Sequence, residues 1–163
     1  MNTLECLKTL CQTGGPSGYE APVADLAAQL LTPWMDEVWT DRLGNVIGLR
    51  RCGKPNAKKL LLDAHLDQIG LMVTGAEDGY LRFASIGGVD PRMLPDREVT
   101  ILTQPPRLGV IACLPPHVLS AEDREKAPAL GEYYVDTGLS QETVEREIPV
   151  GTPMVFRESF LEL

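Results

Sequence analysis

Residues 60–70 read LLLDAHLDQIG, and on either side of this stretch the chain has a different texture. Upstream, apolar residues recur at helical spacing. Downstream, short alternating runs are separated by glycine and proline. Within the stretch, three leucines preceded by Lys58 and Lys59 lead into Asp63, His65 and Asp67. A short apolar run of this kind predicts a strand buried on both faces. Residues two apart in a strand share a face, so Asp63, His65 and Asp67 would line one side. Such groups are costly to bury unless they are paired or hold a metal.

The upstream part predicts two helices and a hairpin. Asn2 and Glu5 have capping-box spacing, which starts a helix over 3–12 that Gly14, Gly15 and Pro16 end. Ser17 and Glu20 repeat the spacing. Pro22 follows in the first turn, and Val23, Leu26, Ala27, Leu30 and Leu31 fall on one face up to Pro33. The runs 37–40 and 46–49, joined by a turn through Gly44 and Asn45, read as a hairpin. Residues 1–68 are therefore expected to form an α/β layer with helices packed on a sheet, and 158–163 to return to it.

The downstream part predicts a β-rich unit over 69–157. Alternating runs occur at 69–73, 80–83, 99–102 and 108–111, with a closing strand at 152–156. Short strands punctuated in this way predict a small barrel or sandwich. Two short helices are expected within it, one from Ser120 and Asp123 and one from Ser140. The stretch SIGGVDPRMLPDREV, 85–99, reads as a turn and lacks the ending of a phosphate loop. The acidic run 142–147 reads as the solvated face of a helix.

Composition narrows the function. The 163 residues carry 15 Lys and Arg against 23 Asp and Glu, a formal charge of −8 that disfavours nucleic acid and anionic membrane surfaces. Four cysteines form no C-x-x-C pair, and no apolar window approaches a membrane span. These features predict a cytoplasmic protein with reduced thiols. Aromatics at 6% and the lack of a closely spaced carboxylate pair argue against a glycan-cleaving module.

On the residues alone, His65 and Asp67 have two readings. One is a metal site, with the imidazole as ligand and the carboxylate orienting it. The other is a strand-end histidine bonded to a neighbouring acid, because H-x-D recurs by chance. His117, the second histidine, follows two prolines and reads as a loop residue.

Seven blocks, in order, decide between them: GPSGYEAPV (15–23), DRLGNVIG (41–48), AHLDQIGLMVT (64–74), LRFASIGGVDPRMLP (81–95), GVIACLPPHVLSAEDREKA (109–127), YYVDTGLSQETVE (133–145) and IPVGTPMVF (148–156). Together they resemble the N-terminal half of the glutamyl aminopeptidase family. Its members are dinuclear-metal peptidases that assemble into tetrahedral, dodecameric shells, some once labelled endoglucanases.

The resemblance implies an α/β catalytic domain interrupted by an inserted β-barrel that serves assembly. It implies His65 as a metal ligand, Asp67 as the acid orienting it, and two divalent ions, zinc or cobalt, that activate water against a peptide substrate. Gln68 stands where the family often has Glu. The remaining ligands and the general base belong to a part of the family pattern beyond residue 163. The expectation is thus an incomplete aminopeptidase, inactive alone, homo-oligomeric, and open to completion by a second polypeptide. The competing expectation is a non-catalytic relic or oligomerisation module.

Overall fold

The computed structural model describes residues 2–126 and 128–162. The chain divides into two compact units, 1–68 with 160–163, and 69–159.

The first unit opens with α1, Thr3–Gln12, which begins as its capping box predicts: Asn2 and Glu5 exchange side-chain and backbone hydrogen bonds. α2, Ala21–Leu31, buries Val23, Ala24 and Ala27, and its axis is continued by a 3-10 turn over Thr32–Trp34. The expected capping box of Ser17 and Glu20 does not form. Glu20 itself is the N-cap and makes no side-chain cap; its carboxylate accepts from Gly18 N instead. The hairpin is present as β1, Glu37–Thr40, and β2, Val46–Leu49, in antiparallel register with Trp39 opposite Ile47. Asp41 closes the turn by accepting from the backbone of Leu43 and Asn45.

The strand expected at Lys58–Lys59–Leu60–Leu61–Leu62 is not formed. Residues 57–67 belong to no helix or strand, and Leu60, Leu61 and Leu62 are 84–86% exposed. His65 consequently does not sit at the end of a strand. A strand buried on both faces needs ladder partners and covering layers, and β1 and β2 form a sheet of two strands with each other. Without a partner, the apolar run stays outside regular structure and solvated. Backbone pairing resumes with a single parallel bridge between Pro16 and Gln68.

The second unit is a closed six-stranded antiparallel barrel in the order β3-β4-β7-β6-β5-β8. Its strands are β3 (Gly70–Glu77), β4 (Tyr80–Ile86), β5 (Glu98–Ile101), β6 (Arg107–Ala112), β7 (Tyr134–Asp136) and β8 (Pro153–Phe156). Period-two alternation sends Leu81 and Phe83 of β4, Val99 and Ile101 of β5, and Ile111 of β6 inward. Each such side chain stabilises the fold by about 1.5–3 kcal/mol through burial. Closure leaves the sheet no edge strand. Gly109 permits the tight wall between β5 and β7, because a Cβ there would lie 2.4 Å from a methyl of Val135.

Five of the six barrel strands match the expected runs to within a few residues. β7 has no sequence signal of its own, since three residues are too few to show a period. α3, Gln141–Glu147, starts at Ser140 as expected and adds Val144 and, just beyond it, Ile148 to the core. Its acidic face is not wholly solvated: Glu147 is partly buried and paired with Arg107 and Arg146. The helix expected from Ser120 and Asp123 is only a 3-10 turn over Asp123–Glu125. A short segment rarely recovers the cost of nucleating a helix.

Candidate functional site

His65 and Asp67 come together, and the structure adds a third residue, Ser17. The order is set by the backbone of the loop before α2. Pro16 is buried and bridged to Gln68, and Gln68 N donates to Gly15 O at 3.0 Å. A turn closes from Tyr19 N to Pro16 O at 2.8 Å. This zips the loop to the segment carrying Asp67. Ser17 Oγ then donates to Asp67 Oδ2 at 2.5 Å, across 50 positions of sequence.

On its other side, Asp67 meets the imidazole. His65 Nδ1 lies 3.0 Å from Asp67 Oδ1 and 3.0 Å from the backbone oxygen of the same residue. A carboxylate oxygen and a carbonyl oxygen only accept, so Nδ1 must carry the proton. In the neutral form of the ring the lone pair then lies on Nε2, which has no hydrogen-bond partner among the described residues. The His65 side chain is 84% exposed and that of Asp67 37%. The hydrogen bond from Ser17, followed by that from His65, holds the Asp67 carboxyl below the usual carboxylate range.

An imidazole held at Nδ1 by a carboxylate, with Nε2 free, is the usual arrangement of a metal-ligating histidine. Among the described residues, however, no group of three His, Cys, Asp or Glu side chains could hold a metal ion. Asp63, expected on the same face, takes part in no hydrogen bond among them. The residues present therefore fit one ligand and its orienting acid, and do not make a complete metal site. In the second unit, His117 lies on an exposed 3-10 turn, as a loop residue should. A cavity of about 570 Å³ there is lined by Arg82, Cys113, Lys126, Glu132 and Tyr134 among others; among the described residues Cys113 and Glu132 find no third His, Cys, Asp or Glu to complete a ligand cluster. No helix of the described residues is long and apolar enough to cross a membrane.

Sequence reasoning missed Ser17 because its spacing to Glu20 imitates a cap. Only the pairing of 15–16 with 68 puts its hydroxyl on Asp67.

Comparison with known proteins agrees with the β-rich fold. A model of the M42 glutamyl aminopeptidase family matches residues 44–163. A lysyl aminopeptidase of Pyrococcus furiosus is 38% identical over 165 residues, covering 98% of this chain and 47% of that protein. The solved structure of an aminopeptidase from the archaeon Desulfurococcus kamchatkensis is 39% identical with a TM-score of 0.88, covering 98% of this chain and 44% of that one. A Pyrococcus horikoshii peptidase that can assemble into a tetrahedron or a large octahedral shell is 30% identical with a TM-score of 0.81, over 98% and 48%. The chain belongs to the M42 glutamyl aminopeptidase family. It spans somewhat less than half the length of these relatives.

Proposed function

We propose that this chain supplies one wall of the active site of a metal-dependent aminopeptidase. His65 is a ligand through Nε2, and Asp67 fixes its ring from the Nδ1 side. The observation that carries this reading is the pair of hydrogen bonds from Nδ1 to Asp67, which presents a lone pair to solvent from a fixed ring. In the complete family site, two divalent ions, zinc or cobalt, would supply Lewis acidity and activate a water for attack on a peptide carbonyl, with His65 one of the residues that would hold them. The described residues of this chain do not hold such a pair, so its own part is to orient one ligand. The remaining ligands and the general base would come from a second polypeptide or from further chain. The barrel is proposed to serve homo-oligomeric assembly. The shell-forming Pyrococcus horikoshii relative supports that role. Free cysteines at positions 6, 11, 52 and 113 fit a reducing, cytoplasmic setting.

A second reading, a non-catalytic assembly module, draws on the same lack of a three-ligand group. Calorimetric titration with zinc and with cobalt separates the two, followed by assays on aminoacyl chromogenic substrates. The first reading expects weak binding that His65→Ala removes, and no turnover by the chain alone. Binding indifferent to His65→Ala would favour the second. Metal-dependent turnover by the chain alone would refute the claim that its site is incomplete.

A further inference from the structure

We propose that Ser17 is a positioning residue. By donating a hydrogen bond to Asp67 Oδ2 it leaves Oδ1 turned to His65 Nδ1, and so holds the imidazole in the Nδ1–H form with Nε2 unprotonated. This rests on the reading of His65 as a ligand for its purpose, but the geometry and the test involve no metal.

The last torsion of an aspartate is soft and roughly two-fold. One hydrogen bond to an exposed imidazole does not stop the carboxylate from turning. A second bond, from the opposite side and from a different part of the chain, does. Ser17 is suited to this because its backbone is anchored on both sides. Gly15 and Pro16 are buried, and a Cβ at Gly15 would lie 2.5 Å from Val23 Cγ1, so α2 packs directly on this backbone. After Ser17, Gly18 takes a φ of +87°, and the turn from Pro16 O to Tyr19 N closes behind it. The hydroxyl is thus delivered to Asp67 by a loop that has little freedom of its own.

The order of the three groups defines the role. The carboxylate lies in the middle, with the serine and the imidazole on opposite oxygens. In a serine hydrolase the imidazole stands between the serine and the acid and takes the serine proton. Here the Ser17 hydroxyl donates a hydrogen bond to Asp67 and keeps its proton, so it steadies a carboxylate and is not an activated nucleophile.

The test reads the tautomer of His65 directly. Long-range proton–nitrogen correlation of the ¹⁵N-labelled chain at about pH 8.5, where histidine is neutral, distinguishes Nδ1–H from Nε2–H. His117→Gln assigns the signals. The expected result is a dominant Nδ1–H form in the native chain. Ser17→Ala should lower the ratio of Nδ1–H to Nε2–H by roughly two- to fivefold, as expected for loss of one hydrogen bond. Ser17→Thr, which keeps a hydroxyl, should restore the native ratio, with circular dichroism unchanged throughout. If Ser17→Ala does not fold, Ser17→Cys, a weak donor of similar size, replaces it with the same expected fall. A native chain in the Nε2–H form, or an unchanged ratio in the alanine or cysteine variant, overturns the proposal. Metal binding in His65→Ala is measured separately, so failure of the ligand reading is told apart from failure of this one.

Discussion

Ser17 and Asp67 are joined by a 2.5 Å hydrogen bond, although 50 residues and a whole helix and hairpin separate them in the chain. The bond exists because the backbone at 15–16 pairs with that at 68. Through it, the loop before α2 and the residues after the leucine run become one local structure around His65.

The first expected outcome concerns the segment between β2 and this structure. Residues 51–65 are exposed throughout and belong to no helix or strand. Backbone of this kind opens at little cost in free energy. Limited trypsin digestion should cut first at Arg51, Lys58 or Lys59 and leave a resistant fragment that contains the barrel, identified by mass. Early cleavage within β3 to β6, with 51–65 intact, would contradict the division into units.

Gly109 has little room for a side chain in the barrel wall, since a Cβ there would lie 2.4 Å from Val135. Gly109→Ala should destabilise the second unit by about 1–3 kcal/mol, the usual cost of forcing a methyl into a packed core. Val99 and Ile101 crowd the same position as Val135. Thermal unfolding of Gly109→Ala beside Gly131→Ala is a direct comparison, since a Cβ at Gly131 meets nothing within 4 Å. Equal melting temperatures would show that the wall can relax.

The barrel also carries a pH dependence at Asp90. This residue caps the 3-10 turn over Pro91–Met93 and accepts from Arg92 through both backbone and guanidinium. The Arg92 guanidinium is the main reason that the carboxyl falls from 3.8 to about 2. A carboxyl with a depressed folded-state value stabilises the fold above its unfolded value and loses that contribution as pH falls. The contribution of Asp90 is therefore complete above pH 3.8 and lost on the way down to about 2. A ¹³C titration should place its midpoint near 2 and show it rise in Arg92→Leu. A midpoint that Arg92→Leu leaves in place would rule out the guanidinium as the cause.

The leucine run predicts association. Three consecutive leucines at 84–86% exposure, with Trp34 and Leu43 also exposed in the same unit, are apolar surface of the kind that finds a partner. Light scattering over a concentration series should show self-association, and the triple substitution of Leu60, Leu61 and Leu62 by serine should reduce it. A monodisperse monomer at all concentrations would exclude it. Association unaffected by the serines would place the contact elsewhere, the outer face of the barrel being the proposed site.

How far the sequence reaches can be judged residue by residue. Asn2 and Glu5 announced α1, Ser140 announced α3, and the alternating runs announced five strands of a small barrel. These signals are local, because caps and periodicities are written within a few residues of the structure they specify. The motif blocks announced the family, and with it His65 and Asp67 as a pair.

What the sequence could not decide was settled by long-range contacts. Leu60, Leu61 and Leu62 have the composition of a buried strand, yet a strand exists only where neighbours complete its ladder, and those neighbours are not written in the run itself. β7 is the reverse case: three residues without a readable period become a strand because β4 and β6 leave a slot between them. Ser17 has the spacing of a helix cap and instead holds a carboxylate 50 residues away. The sequence by itself determined which residue types could act and where regular structure would start. Tertiary structure alone decided which strand would be paired and which hydroxyl would reach Asp67, because hydrogen bonds and ladders are satisfied by whichever group the folded backbone brings within about 3 Å.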